Sequence, residues 1–199
     1  MIKVIDNFLP PPFQAMLEKM FANDFPWIYR DTTCNVYEST TSNYVYLDAN
    51  TMDFCQFTHV FCSDGNVHSN FQSTIFPVLY FASLAVPEIT GMVKAKANMT
   101  LPFNAPIGSY NTPHIDCSEE NILTLIYYAN DSDGDTLLFE EKPEEFTGTL
   151  TVKQSVTPKK GRAVLFNSRI IHAGQLPRES KKRVLINFNF LMTPAGVQN

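Results

Sequence analysis

The sequence predicts a mainly β fold, a sandwich or barrel with helices packed on one outer face. Three observations predict it. Six short β-prone runs recur after residue 92, the connectors between them are rich in Gly, Pro, Asn and Asp, and the helical patterns lie before residue 87. Many short strands divided by turn signals close as a sandwich or barrel. Helices that precede such strands are expected on one face of it.

The first element is a helix over 11–23. Phe13, Met16, Leu17, Met20 and Phe21 recur at i, i+3, i+4, i+7 and i+8, one apolar stripe that reads as core packing. The prolines at 10–12 suit its first turn. Residues 30–62 are polar, β-branched and Tyr-rich (Thr32, Thr33, Tyr37, Thr40, Thr41, Tyr44, Tyr46) and read as strands and loops. Trp27, just before them, reads as a core anchor. A second helix runs through 69–86 on Phe71, Ile75, Val78, Leu79 and Ala82, and Pro77 should kink it or mark where its regular part starts. The strands follow as VKAKANMT (93–100), NILTLIYY (121–128), DTLLFE (135–140), GTLTVK (148–153), RAVLFNS (162–168) and RVLINFNFL (183–191). Their connectors carry the residues that turns require.

A chain of 199 residues can bury a sizeable core and reads as a single domain, 1–199, with 1–91 as helical and loop-rich support and 92–191 as the barrel core. Fifteen Lys+Arg against 20 Asp+Glu give a net charge of −5, which argues against a general nucleic-acid binder. No apolar run approaches the roughly 20 residues that span a bilayer. The start, MIKVIDNFLPPP, has Asp6 and three prolines where a signal peptide needs an apolar run. The four cysteines (Cys34, Cys55, Cys62, Cys117) have no metal or redox spacing and read as reduced thiols. A cytoplasmic protein is expected.

Chemistry concentrates in two of the four histidines. His114-Ile115-Asp116 places an imidazole and a carboxylate at i and i+2, on one face of an extended segment and about 6.6 Å apart along it. Ile115 then points into the opposite packing. His172 follows the strand RAVLFNS. Two His and one carboxylate form the facial triad of non-haem Fe(II) oxygenases, with coordination positions left open. The same donors also accept zinc with a water, which would make a hydrolase. A third reading is a non-catalytic jelly-roll binding module. On the strand RVLINFNFL, Arg183, Leu185, Asn187 and Asn189 share one face, and Val184, Ile186, Phe188 and Phe190 the other. The second face is apolar and buried. A barrel interior tolerates the Arg and Asn face where ligand or partner groups meet it, and an Arg fork suits a carboxylate. Arg178, Lys181 and Lys182 read as a solvated basic run. His59 and His68 lack a carboxylate at ligand spacing and read as structural, Cys117 should face away from the site, and Asn98 and Tyr110 are candidates for the pocket lining.

The segments HID (114–116), LIYYAND (125–131), GDTLLF (134–139), PKKGRAVLFNSRIIHAG (158–174) and RVLINFNF (183–190) together resemble the catalytic core of the prolyl-4-hydroxylase-like family of Fe(II)/2-oxoglutarate dioxygenases. The start, with DNFLPPP and FPWIYRDTT, resembles small bacterial and phage-type members. The resemblance implies a double-stranded β-helix, a cupin-like jelly-roll barrel with N-terminal helices packed on one sheet. It implies His114, Asp116 and His172 as the catalytic iron ligands and Arg183 as the group that binds the distal carboxylate of 2-oxoglutarate. Tyr128, Thr136 and Asn187 are implied as further contacts of that co-substrate. Gly134-Asp135 stands where the family often has Gly-Gly. The implied cofactors are Fe(II), 2-oxoglutarate and O2, with ascorbate as a reductant for the iron. The implied reaction couples 2-oxoglutarate decarboxylation, to succinate and CO2, with hydroxylation of a peptide residue or small molecule. Related halogenases have a small residue in place of the carboxylate, so Asp116 points to hydroxylation. Neither membrane nor nucleic-acid partners are implied. The compartment implied is the cytoplasm, that of an infected host for a phage-type member.

Overall fold

Strand alternation after residue 88 sets the architecture. The structure, a computed structural model, describes residues 2–22, 24–34 and 44–193; Tyr37, Thr40 and Thr41 of the Tyr-rich segment lie outside the described residues. The elements in order are β1 (Ile2–Ile5), α1 (Pro11–Ala22), β2 (Ile28–Arg30), β3 (Gln56–Ser63), β4 (Asn66–Val67), α2 (Gln72–Ile75), α3 (Val78–Ala85), β5 (Ile89–Thr100), β6 (Ile122–Tyr128), β7 (Thr136–Phe139), β8 (Val152–Val156), β9 (Ala163–Asn167), β10 (His172–Gly174) and β11 (Arg183–Met192). One large antiparallel sheet runs β1-β9-β6-β11-β5-β3-β2, with β4 on β3. A small sheet runs β10-β7-β8.

The two faces of the large sheet have separate cores. On the outer face, Ala95, Ala97, Leu125, Tyr127, Ile186 and Phe188 pack against Leu17 and Phe21 of α1 and Ile75, Val78 and Ala82 of α2 and α3. The mainly β fold with helices on one sheet therefore forms as the sequence predicts. On the inner face, Ile126, Tyr128 and Leu185 meet Leu138 and Val156 of the small sheet. Burying such side chains stabilises by roughly 1.5–3 kcal/mol each. Residues 2–67 contribute four strands to the large sheet, so the N-terminal part supplies strands as well as helical support.

Several elements depart from the sequence reading. Met16 is 45% exposed. The buried stripe of α1 runs through Gln14, Leu17 and Phe21 instead. Gln14 donates to the Leu9 carbonyl at 2.7 Å and packs against Gly161, where φ is +81° and no Cβ would fit. The 69–86 helix divides at Pro77, which has no N–H to donate and stands as the N-cap of α3. The strand expected at 148–153 begins at Val152, because the chain turns at Gly148 (φ +98°) and Leu150 drops into a cluster with Tyr46 and Phe139.

Candidate metal centre and its pocket

His114 and His172 come from distant segments joined by a backbone bridge. Each donates its N–H to the other's carbonyl, at 3.0 and 2.9 Å, and the rings stand 4.5 Å apart between centroids. Asp116 lies two residues beyond His114 and is fixed by its N–H to the Ser168 carbonyl. Ile115, between them, faces the opposite cluster with Tyr110 and Leu137. The carboxylate oxygens of Asp116 lie 3.9 Å from Nε2 of each histidine, and the three ligand atoms fall within 4.8 Å of one another. One ion could touch all three.

Surrounding groups prepare these atoms for a cation. Nδ1 of His114 donates to the Thr112 carbonyl at 2.9 Å, and Nδ1 of His172 to the Ile170 carbonyl at 3.0 Å. Both lone pairs are thereby placed on Nε2, toward the centre. Asp116 accepts from the Thr124 hydroxyl at 2.7 Å, the Asn187 amide at 3.1 Å and the Asn189 amide at 3.2 Å. Burial pushes the pKa of His172 down to about 4, helped by the charge of His114, and burial also lowers that of His114. Burial alone would raise the Asp116 carboxyl. The nearby histidines and the Thr124 hydroxyl outweigh it and hold the group below the usual carboxylate range. At neutral pH all three groups are in the form that binds a metal.

Arg183 lies on the same inner face. It is 6% exposed. Its Nε donates to the Gly134 carbonyl at 2.6 Å and its Nη2 to the Thr136 hydroxyl at 2.7 Å. The Tyr128 hydroxyl donates to the same Thr136 oxygen at 2.7 Å. Thr136 thus lines the pocket beside Arg183, while Tyr128 stands behind it. Asn187 sits at the Asp116 end, gives its amide to that carboxylate and lines the same pocket.

A single pocket links His114, Asp116 and His172 to Arg183. Five buried polar atoms along it have no partner among the described residues: Oδ1 of Asn98, Asn111 and Asn187, and Oγ1 of Thr100 and Thr112. Buried polar atoms are ordinarily hydrogen-bonded, so orphans converging on one pocket mark a place for a polar ligand. Asn98 lines the pocket as expected. Tyr110 does not; its hydroxyl is taken by Asp48, inside the cluster that holds Phe139. His59 is satisfied by the Pro26 carbonyl and Ser69, His68 by Ser63, and Trp27 packs with Phe21 and Phe25. The four cysteines are free. Cys117 lines a groove that adjoins the pocket and is absent from the ligand cluster.

Sequence reasoning missed Thr124, Thr112 and Lys96. Thr124 is the one non-aromatic polar residue of the buried strand β6. Lys94, Lys96, Asn98 and Thr100 alternate with apolar residues along β5. Both patterns are visible in the sequence.

The family model for the 2OG-Fe(II) oxygenase superfamily matches residues 101–191. No curated protein matches the chain in sequence. Among solved structures, a 2OG-Fe(II) oxygenase family oxidoreductase from Burkholderia pseudomallei shares 9% identity, with 96% of this chain and 84% of that one covered and a TM-score of 0.65. A Pseudomonas putida prolyl-4-hydroxylase shares 12% identity over 96% and 92% of the two chains, with a TM-score of 0.53. A Trichoplax adhaerens prolyl hydroxylase, in complex with a hypoxia inducible factor peptide fragment, shares 15% over 96% and 83%, with a TM-score of 0.54. The fold is the double-stranded β-helix of these proteins. No helix among the described residues is long and apolar enough to cross a membrane.

Proposed function

We propose that this protein is an Fe(II)- and 2-oxoglutarate-dependent oxygenase that hydroxylates a C–H bond in a peptide residue or small molecule. One observation carries the reading: a buried arginine fork shares a single pocket with the His114–Asp116–His172 cluster. Activating a metal-bound water for hydrolysis leaves this arginine idle. A diacid co-substrate needs it at one end and the metal at the other. The superfamily match over residues 101–191 supports the same reading.

The donor set suits iron. The two neutral imidazoles of His114 and His172 and the Asp116 carboxylate would hold Fe(II). When bound, iron and 2-oxoglutarate supply the oxidation, coupling co-substrate decarboxylation to succinate and CO2 with hydroxylation. The chain supplies position. Arg183, oriented by Gly134 and Thr136, would bind the distal carboxylate, and Tyr128 steadies Thr136 from behind. Thr100 sits opposite Arg183 in the β5–β11 ladder, and its unpartnered hydroxyl offers that carboxylate a second donor. Asn187, Asn189 and Thr124 aim the Asp116 carboxylate. The apolar packing around His172, from Phe166, excludes water from one side of the cluster.

Anaerobic titration of the metal-free protein with Fe(II) and then 2-oxoglutarate tests this reading. A weak visible charge-transfer band that needs both additions is expected. No band, with tight retention of zinc, would move the assignment to a hydrolase. Binding without succinate release in any substrate screen would favour a non-catalytic module.

A further inference from the structure

Beyond the metal cluster, the pocket opens into a groove whose walls include Arg30, Lys94 and Lys96. We propose that the substrate of this site is anionic, and that Lys94 and Lys96, with Arg30 at the rim, form a subsite for its carboxylate or phosphate group. The inference rests on the oxygenase reading and adds the substrate class to it.

The ladder between β5 and β11 places the subsite. Thr100 pairs with Arg183, Asn98 with Leu185, Lys96 with Asn187 and Lys94 with Asn189. The alternate residues Ala95 and Ala97 are buried on the helix side, so the polar set of β5 faces the groove. Asn187 and Asn189 hold Asp116. Lys96 and Lys94 therefore stand level with the metal cluster and past it, seen from Arg183. Lys94 is six residues from Thr100, about 20 Å along a strand at about 3.3 Å per residue. A five-carbon diacid anchored at Arg183 is too short to reach it. A second anion is needed to meet Lys94.

The cations are also unpaired. No ion pair among the described residues involves Lys94, Lys96 or Arg30. Asp64, Asp116 and Glu119 line the same groove without an ion pair to them. Burial, together with the charges of Lys94 and Arg30, pushes the Lys96 ammonium down to about 8. Arg30, Lys94 and Lys96 share the groove with Asp64, Asp116 and Glu119, yet none of the three cations has an ion-pair partner among the described residues, so their N–H donors stay open to an entering anion. An anion held there sits beside the metal cluster, which places the neighbouring C–H bonds of its own molecule at the reacting centre.

The test uses the anaerobic Fe(II)–2-oxoglutarate complex. Sodium phosphate, and separately sodium acetate, is titrated by calorimetry against sodium chloride of equal ionic strength. Saturable binding of at least one anion is expected, and the tighter one assigns phosphate or carboxylate. Lys94→Gln and Lys96→Gln should each weaken it about tenfold, the loss of one charge-assisted hydrogen bond. Lys94→Arg should keep it. Lys94 is the control for folding, since the more deeply set Lys96 bears more of the packing. No saturable heat with either anion overturns the proposal. So does binding that survives Lys94→Gln, which would place the anion on the metal, or a Lys96→Gln variant that weakens 2-oxoglutarate instead. The charge-transfer band reports the oxygenase reading separately. If the band fails, the same titration on the metal-free protein still decides whether the lysines bind an anion.

Discussion

Thr136→Val removes one hydroxyl and keeps the shape of the side chain. That oxygen accepts from two buried donors, the Tyr128 hydroxyl and Nη2 of Arg183, both at 2.7 Å. Thr136 is 1% exposed and Tyr128 fully buried, so water does not replace the lost acceptor. An orphaned neutral donor costs about 1–3 kcal/mol, and a hydrogen bond to a charged group is worth about 1.5–3 kcal/mol. Arg183 keeps its bond to Gly134, which puts the sum near the lower end, about 3 kcal/mol. For a chain of this length that lowers the melting temperature by about 6–12 °C. Thr136→Ser keeps the hydroxyl and should stay within about 1 kcal/mol of wild type, the cost of one buried methyl group. The assay is thermal unfolding of both metal-free variants, followed by 2-oxoglutarate titration of their Fe(II) forms. The Val variant should also bind 2-oxoglutarate more weakly, because Nη2 has lost its anchor. The reasoning fails if Thr136→Val melts with wild type, or if the Ser and Val variants melt together.

Three further outcomes are expected. Gly174→Ala would set a methyl 3.2 Å from Nη1 of Arg183, and the fork must yield by a few tenths of an ångström; the 2-oxoglutarate half-saturation should rise about tenfold, roughly one charge-assisted bond, with Fe(II) affinity unchanged. An unchanged half-saturation would show that Arg183 does not hold the ligand. Gly134→Ala meets backbone instead, the Gln175 carbonyl at 2.6 Å and the Pro177 nitrogen at 2.9 Å, and should destabilise by about 1–3 kcal/mol in a urea titration. In metal-free protein, the folded pKa of His172, about 4, lies below its ordinary 6.5, so the folded state binds fewer protons between those values. Stability should therefore rise with pH across that window and be lost as pH falls through it, by at most about 3 kcal/mol; urea midpoints that stay level from pH 7 to 4.5 would contradict this.

Periodicity carried much of the fold. The alternation of RVLINFNFL sets Val184, Ile186, Phe188 and Phe190 toward the helices and Arg183 toward the pocket, and Pro77 breaks the second helix because proline lacks an N–H. His114, Ile115 and Asp116 take alternate sides as an extended segment requires. These are local consequences of side-chain geometry and follow from the order of residues alone. At Met16 the arc of helix that the sheet covers is narrower than the apolar stripe. The approach of His172 to His114 depends on a backbone bridge between segments far apart in the chain. The assignment of Asn187 to Asp116, the placing of Tyr128 behind Thr136 and the alignment of Lys94 and Lys96 with the metal cluster depend on register across β5, β11 and β6. A strand's own pattern states which face a residue occupies, and only pairing states what stands opposite it. Tertiary structure decided those contacts because register is set by packing of the whole sheet.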